Sequence, residues 1–508
     1  MTSRFQPSRR RSAPPTWDGF KRAVRKVDRD SLLLQAAGTT AAIARGELDE
    51  AHAKRGLTPW TIADVARTAL AWAGLQRPVA DAMTLLQLCN QNFHIVDEGL
   101  VGNPESTEGL GQVLSRLYFE QFPSQTSVMA AVARTILLFG SAAEHPPEFS
   151  PKVMTPGWFE AITGGLTLDD YVEAVFLISV MTQTNGGSFS LKWLEGPAFE
   201  GLDEVISFDV VRRVFTEHLV TTVAEFKAVN RGFQEHLPPA QKKFAFNPLA
   251  AKPFIEGVAP IPISPWGQAI LRKASPPAIY HLGLRELGGG FPDDLGALFQ
   301  HYVGRQLALV DGEARVLAEF KHGPRRERKD SCDWFLDLPG MLVLIECKAR
   351  QPIESLRIGS SDWMSSVSGS IGHAICQLNR SSDSIESICA EEPHLDASKP
   401  RVGLVVTLEP FYVTENWILA EQLPKSDIPV AVLSVGELES LVVLSAEELE
   451  RVLAEAAKAA ENLLIRVTPE QAESEGRENS LLATTWESIG LFARVEAVKE
   501  QMRAERAT

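Results

Sequence analysis

The segment 330-DSCDWFLDLPGMLVLIECKARQ-351 holds two apolar runs separated by a Pro-Gly pair. Pro339-Gly340 is typical of a turn between two strands, so the segment is predicted to form a β-hairpin. The residues between this turn and Glu346 are all apolar, which indicates a strand buried on both faces of a sheet. A turn centred on the Pro-Gly pair places Asp333 directly opposite Glu346, with both side chains on one face.

The charged residues at the open end of this hairpin predict a cation site. Lys348 follows Glu346 by two residues and shares its face of the strand. Two opposed carboxylates repel each other, and burial increases the cost. A divalent cation removes this penalty, and Mg²⁺ (or Mn²⁺) suits hard oxygen ligands completed by water and phosphate. Such a cation activates water, while Lys348 orients that water or stabilises developing charge.

The D-x(12)-E-x-K pattern resembles the PD-(D/E)XK nuclease superfamily, the restriction-endonuclease-like domains. The resemblance covers about 150 residues, 293–445, with a helix before the hairpin and a helix and further strands after it. It implies a central mixed sheet flanked by helices. It also implies that Asp333 and Glu346 bind Mg²⁺ with the backbone carbonyl of Cys347, and that Lys348 acts on the attacking water.

Two glutamines stand at further positions that the resemblance singles out. Many members carry a Gln on the helix after the hairpin, and Gln377 in 373-HAICQLNRS-381 matches it. Members often carry a Glu on the first helix, where this chain has Gln300. An amide can hydrogen-bond a metal-bound water but adds no charge, so this departure bears on metal affinity and on activity.

A basic loop, 321-KHGPRRERKD-330, comes directly before the hairpin. Arginine and lysine beside a metal site suit contacts with a phosphate backbone. A solvated turn has the same composition, so the two interpretations stand equally. The residues predicted to contact nucleic acid are Arg325, Arg326, Arg328 and Lys329.

The overall charge limits the class of nucleic-acid protein. Fifty Lys and Arg against 65 Asp and Glu give a net charge of −15, which argues against a protein that coats nucleic acid by bulk charge.

Five cysteines without a C-x-x-C pair indicate reduced thiols and a cytoplasmic location. The apolar stretches 126–140 and 171–181 fall short of the ~20 residues of a membrane helix and predict buried helices with no membrane partner.

Pattern and composition divide the chain into five predicted segments. They are a basic flexible arm (1–29), an α-helical recognition or regulatory region (30–235), a Pro-rich packed connector (236–292), the nuclease-like α/β domain (293–445) and a helical extension (446–508). Asp169 and Asp170 are expected to cap one helix and Asp293 another. Further predicted helices lie at 60–75, 370–388, 445–464 and 480–504, and strands at 315–320, 332–336, 341–349, 401–408 and 428–435.

Together these features predict a multi-domain protein with a helical N-terminal region and a C-terminal restriction-endonuclease-like domain. The expected activity is Mg²⁺-dependent hydrolysis of nucleic-acid phosphodiester bonds, with DNA as the expected substrate. By analogy with the superfamily, bacterial restriction or antiphage defence is the expected setting. The alternative is an inactive module of the same fold that binds nucleic acid or a protein partner, motivated by Gln300 and the acidic composition.

Overall fold

The chain folds into two compact units in the computed structural model. The first unit comprises Met1–Pro104, Met181–Phe189 and Val220–Gln268, and the second comprises Glu105–Val180, Ser190–Leu219 and Ala269–Thr508. Each unit therefore collects separate stretches of the chain, and the five segment boundaries predicted from sequence stay predictions. The structure describes residues 15–48, 50–95, 127–147, 149–196, 201–237, 239–349, 367–412, 420–421, 423–460, 463–468, 474, 476–491 and 494.

The first unit is built mainly from helices around one apolar core. Its short strands β1 (Val220–Thr222) and β2 (Phe254–Glu256) pair in parallel. Short 3₁₀ helices lie at Pro239–Phe244 and Pro248–Ala250. Its α-helices are Trp17–Val24, Arg29–Ala44, Glu50–Lys54, Pro59–Trp72, Ala82–Phe93 and Val223–Glu235.

The helix predicted at 60–75 is confirmed over Pro59–Trp72. Its predicted apolar face is buried, with Ile62, Val65 and Leu70 fully inside the core. Thr58 and Thr61 form a reciprocal capping box that satisfies free N–H groups at the helix start. The helix ends earlier than predicted, so Leu75 is 54% exposed. Gly74 accounts for the early end, since glycine disfavours continued helix.

Part of the segment predicted as a basic arm is packed into the first unit. Residues Trp17–Val24 form a helix that begins after Thr16, whose side chain accepts a hydrogen bond from the Gly19 N–H. Trp17 and Phe20 are buried in the core. Residues 1–14 of the same segment lie outside the described residues.

The second unit is rich in helices and holds the main sheet. Wider π-type turns occur at Val214–Leu219 and Ser368–Gly372, and a 3₁₀ helix at Leu191–Glu195. The remaining α-helices along the chain are Val128–Phe139, Trp158–Thr163, Leu168–Thr184, Leu202–Val205, Phe208–Arg213, Gln268–Arg272, Pro276–Leu287, Gly290–Leu307, His373–Asp383, Ile385–Glu391, Val435–Leu441, Ala446–Ala459 and Ser480–Glu487.

Several helix starts differ from those predicted. The helix expected to be capped by Asp169 and Asp170 begins at Leu168, so both acids lie in its first turn. Thr167 acts as the cap instead, because its hydroxyl accepts from the Asp170 N–H at 3.1 Å. Asp293 likewise lies in the first turn of Gly290–Leu307, not at its cap. Pro292 permits this early start because first-turn N–H groups have no intrahelical acceptor.

The Pro-rich connector is more helical than predicted. The prolines of 238–292 predict no long helix, yet Pro276–Leu287 is a 12-residue helix. Pro276 and Pro277 occupy its first positions, where a fixed φ and a missing N–H are tolerated. Proline therefore starts a helix here where the sequence suggested a break.

The main sheet is mixed and five-stranded. Its strand order is β3-β6-β7-β8-β9, with β3, β6 and β7 antiparallel and β7, β8 and β9 parallel. β4 and β5 form a separate antiparallel hairpin. The strands are β3 (Arg315–Ala318), β4 (Lys321–His322), β5 (Lys329–Asp330), β6 (Trp334–Asp337), β7 (Leu342–Lys348), β8 (Arg401–Thr407) and β9 (Val430–Ser434).

The predicted hairpin forms β6 and β7 in the predicted register. Trp334 pairs with Ile345 and Asp337 with Leu342, which centres the turn on Pro339 and Gly340. Leu342 through Ile345 are fully buried, as expected for a strand covered on both faces. Because of this register, the residues at the open end of the hairpin lie close together.

Helices on either side of the hairpin in sequence contact β7. Leu342 and Leu344 share a core with Ile375 and Leu378 of the helix His373–Asp383. That helix approaches the sheet closely at Gly403, where an added Cβ would lie 2.9 Å from a Leu378 methyl group. The helix Gly290–Leu307 also contacts β7.

Candidate functional site

The open end of the β6–β7 hairpin brings two predicted site residues together. The register ends at the pair Trp334 and Ile345, and Asp333 and Glu346 are the next residue on each side. They lie close enough that repulsion from Asp333 contributes to the raised pKa of Glu346. Glu346 is 1% exposed, whereas Asp333 is only half-buried. Two acids therefore lie close together at a sheet end that passes from the core toward solvent.

Lys348 is held between Glu346 and Gln377. Its Nζ lies 2.9 Å from Oε2 of Glu346 and 2.9 Å from Oε1 of Gln377. Glu346 and Lys348 are two residues apart on β7, and this puts them on one face of the sheet, the face packed against the helix His373–Asp383. Three residues singled out by sequence thus meet in one hydrogen-bonded chain.

The second oxygen of Glu346 has no partner. Oε1 is buried and accepts no hydrogen bond within the described part of the chain. Burial, reinforced by repulsion from Asp333, raises the pKa of Glu346 to about 8 despite the nearby Lys348. Leaving a buried acceptor unpaired costs roughly 1–3 kcal/mol of folding free energy. A ligand that pairs with this oxygen would therefore stabilise the site.

Asp333 is anchored to the backbone of the opposite strand. Its Oδ2 accepts a hydrogen bond from the Cys347 N–H at 2.6 Å. Burial raises the pKa of Asp333, while this hydrogen bond and Lys348 act in the opposite direction. The contact observed at Cys347 is through its N–H, and the metal-binding role of its carbonyl stays a prediction. Burial also raises the pKa of the Cys347 thiol, which argues against a thiolate nucleophile.

A third acid, Glu319, joins the site and was not predicted. β3 pairs with β6 so that Ala318 lies opposite Trp334, and the Glu319 N–H donates to the Asp333 carbonyl at 2.9 Å. Partial burial and repulsion from Asp333 raise the pKa of Glu319. Glu319 follows the last residue of β3, Asp333 precedes the first residue of β6, and Glu346 lies in β7, so the three acids form a row at one end of the sheet, from exposed to fully buried.

The place of Glu319 in the site was only partly predictable from the sequence. The strand 315–320 was predicted, and Glu319 is the acid near its end. Its neighbour across the sheet was not predicted, because no short turn links β3 to β6 and sets their register.

Gln300 reaches the site through Glu319. Its side chain is close enough to the Glu319 carboxylate to lower the pKa of that group, and its backbone carbonyl accepts from Trp334 Nε1 at 2.8 Å. The Trp334 ring also packs so tightly on Gly304 that a Cβ there would overlap it. Gln300 thus lies beside the row of acids, and Trp334 serves to pack the helix Gly290–Leu307 on β6.

The donor set fits a cation held by few protein ligands. Among the described residues, no group of three or more His, Cys, Asp or Glu side chains is arranged to hold a metal ion. Mg²⁺ usually takes only one or two carboxylates and completes its shell with water and phosphate. Asp333 and Glu346, with the unpaired Glu346 oxygen, match that requirement.

The basic loop forms the β4–β5 hairpin. Arg325, Arg326, Arg328 and Lys329 are all exposed. Arg328 pairs with Glu391 at 2.8 Å, so its charge is compensated locally. Arg325, Arg326 and Lys329 form no ion pair with any described carboxylate, so three of the four predicted contacts are available cations, and Arg325 and Arg326 are the two of them at the tip of the loop.

Comparison with known proteins supplies no family for this chain. The structure contains, within its described residues, no helix both long and apolar enough to cross a membrane. No family model, no curated protein and no solved structure matches the chain.

Proposed function

We propose that this chain is a divalent-metal-dependent phosphodiesterase that cleaves nucleic acid, with DNA as the expected substrate. The observation that carries the proposal is the row Glu319, Asp333 and Glu346 with Lys348 at its buried end. A purely structural ion pair needs one acid for one ammonium, and this site has three acids. The excess of carboxylate beside one amine supports a role in binding a cation.

The charge balance explains why a cation belongs here. The pKa values of all three acids are raised, with burial as the largest cause and repulsion from Asp333 adding to it at Glu319 and Glu346. Raised carboxyl pKa values clustered in one site are typical of functional centres. A bound Mg²⁺ or Mn²⁺ would lower the pKa of a coordinated water and neutralise charge on a phosphoryl oxygen.

Within this proposal, the protein residues hold the reacting groups in place. Glu346 offers its unpaired oxygen as a ligand, and Asp333 is fixed through its Oδ2 by the Cys347 N–H, which leaves its other oxygen as a second ligand. Lys348 donates hydrogen bonds and stabilises negative charge that develops on the attacked phosphate. Gln377 accepts from Lys348 and fixes the direction of its ammonium group.

The fold supports the same proposal by its order of elements. A helix (Gly290–Leu307) precedes the antiparallel strands β3, β6 and β7, and a second helix (His373–Asp383) leads to β8, which is parallel to β7. This order and the D-x(12)-E-x-K positions are those expected of a restriction-endonuclease-like domain. We extend the proposal to that fold and, by analogy alone, to restriction or antiphage defence.

The exposed β4–β5 hairpin suggests how substrate is approached. Arg325 and Arg326 lie between β4 and β5, and Asp333 follows β5 by three residues. Phosphate contacts from such side chains position nucleic acid without reading its sequence. The acidic character of the whole chain is compatible with a local contact of this kind.

A cleavage assay tests the proposal. Supercoiled plasmid, linear duplex, single-stranded DNA and RNA are each incubated with the full chain and either Mg²⁺ or Mn²⁺. We expect cleavage of DNA by the wild type, loss by at least about 100-fold in Glu346→Gln and Lys348→Met, and no cleavage with EDTA. The control variants Glu313→Gln and Lys458→Met alter exposed residues of the same unit and keep wild-type activity.

The alternative is an inactive module of the same fold. It is favoured by Gln300, which supplies an amide to Glu319 in place of another acid. Binding of DNA without cleavage under any metal condition supports this alternative and overturns the catalytic proposal. Equal cleavage by the wild type and both site variants also overturns the catalytic proposal.

A further inference from the structure

The first unit contains an open cleft of about 470 Å³ with several charged and amide side chains in its lining. A cavity of this size is typical of sites for small ligands. The helix Val223–Glu235 forms one wall, and Ala71 and Trp72 at the end of the helix Pro59–Trp72 contribute to another. The cleft therefore lies against two regular helices, which hold its walls in fixed positions.

One face of the helix Val223–Glu235 supplies most of the functional groups. Lys227, Asn230, Arg231 and Gln234 all line the cleft. Their spacing of three, four and seven residues places them on the same side of the helix. The face alternates cations with amides, an arrangement that suits a ligand carrying both negative charge and hydrogen-bonding groups.

The cleft has a strong excess of positive charge. Its lining contains four cationic residues and one acid: Lys21, Lys227, Arg231, Lys242 and Glu235. Lys21 is paired with Asp18 at 2.6 Å. The other three cations have no ion pair with a described carboxylate. Unpaired cations gathered around a cavity in an acidic protein favour an anionic ligand.

Two amides in the lining have unmet hydrogen-bonding capacity. Asn230 is 3% exposed and Gln234 is 8% exposed. Asn230 Oδ1 and Gln234 Nε2 are buried and form no hydrogen bond with the described residues. One is an acceptor and the other a donor, on successive turns of one helix. Leaving such atoms unpaired costs roughly 1–3 kcal/mol each, so a ligand that pairs with these amides gains affinity.

We propose that this cleft is a binding site for a nucleoside phosphate. Lys227, Arg231 and Lys242 provide the charge that phosphate oxygens require. Asn230 and Gln234 offer both hydrogen-bonding roles, which a nucleobase edge complements and a bare phosphate does not. Trp72 is partly exposed in the lining and adds an aromatic surface. The proposal concerns the first unit and holds whether or not the chain cleaves nucleic acid.

Calorimetric titration of the full chain with ADP tests the proposal, with adenosine and pyrophosphate as the two partial probes. We expect ADP to bind, and adenosine and pyrophosphate each to bind at least about tenfold more weakly. Arg231→Glu is expected to weaken ADP binding by about tenfold or more, because it replaces an attractive charge with a repulsive one. The control Arg77→Glu reverses an exposed charge of the same unit outside the cleft lining and leaves ADP affinity unchanged.

The amides are tested separately by Asn230→Leu. This variant is expected to weaken ADP binding while leaving pyrophosphate binding unchanged, since only the nucleoside contacts are removed. Asn230 is buried, so Asn230→Leu could disturb the fold. Arg231 is exposed, so Arg231→Glu is expected to keep the fold and still tests the site. The proposal is overturned if ADP does not bind, if Arg231→Glu and Arg77→Glu bind ADP equally, or if pyrophosphate binds as tightly as ADP.

Discussion

The Nζ atom of Lys348 lies 2.9 Å from Oε2 of Glu346, two residues earlier on the same strand. This pair is enclosed, because the Glu346 side chain is 1% exposed and that of Lys348 is 19% exposed. Asp333 is close enough to repel the Glu346 carboxylate, so the site still carries excess negative charge. The contact between Lys348 and Glu346 is thus one part of an acidic site and does not neutralise it.

The raised pKa of Glu346 predicts a pH-dependent stability. A carboxyl whose pKa is about 8 in the folded chain and near 4.3 when unfolded favours folding while protonated. This contribution is complete below about pH 4 and is lost as the pH rises toward 8. In the metal-free protein, Glu346→Gln should therefore raise the melting temperature at pH 8 and not at pH 4.5, by an effect on the order of 5 kcal/mol.

The measurement is calorimetric melting of wild type and variant across that pH range. Glu313→Gln serves as control, because Glu313 is exposed and outside the site. A constant difference in melting temperature between Glu346→Gln and the wild type from pH 4.5 to 8 contradicts the prediction.

Gln377 is expected to position Lys348. Gln377→Leu removes the acceptor at 2.9 Å and leaves the ammonium group free to turn away from the substrate. We expect cleavage to slow by about tenfold, less than in Lys348→Met. In a double-mutant cycle, Gln377→Leu should add nothing once Lys348 is replaced, since both residues then act through one group. Additive effects would show that Gln377 acts independently of Lys348.

Glu319 is expected to support cation binding from the exposed end of the row. Glu319→Gln keeps the shape and the contact with Gln300 but removes one negative charge beside Asp333. The Mg²⁺ concentration at half-maximal cleavage should rise by about threefold to tenfold, with little change in the rate at saturating Mg²⁺. If Glu319→Gln needs the same Mg²⁺ concentration for half-maximal cleavage as the control Glu313→Gln, Glu319 does not contribute to cation binding.

Arg325 and Arg326 are expected to contact phosphates. Replacing both with Ala should lower the affinity for duplex DNA and reduce the slope of log K against log salt by about 2. Arg328→Ala should change the slope less, because Arg328 already pairs with Glu391. Fluorescence anisotropy over a series of salt concentrations measures both quantities. An unaltered slope in the double variant would show that Arg325 and Arg326 do not contact DNA phosphates.

Two glycines of one helix offer a matched test of packing at the site. Gly304→Ala places a methyl group on the Trp334 ring, whereas Gly296→Ala meets nothing within 4 Å. We expect Gly304→Ala to destabilise the fold by about 1–3 kcal/mol and Gly296→Ala to be neutral or stabilising. Melting temperatures and cleavage rates of the two variants are compared. Equal stability would show that the Trp334 contact relaxes without cost.

Local features of the chain were predictable where a short connection joins two partners. The turn at Pro339-Gly340 links β6 and β7 directly, so counting outward from it placed Asp333 opposite Glu346. Gln377 was placed from the family pattern, and the structure puts it on Lys348. By contrast, the caps assigned to Asp169 and Asp293 were wrong, since helix ends depend on neighbouring side chains within one or two positions.

The sequence by itself determined the hairpin, its register and the cluster of Asp333, Glu346 and Lys348, because residues close along the chain have few ways to pair. Only the tertiary structure decided that Glu319 lies beside Asp333, that Gln300 reaches Glu319, and that a basic cleft forms on the helix Val223–Glu235. These contacts join distant stretches, where loop closure and packing of whole elements select the partner. No local pattern encodes that choice.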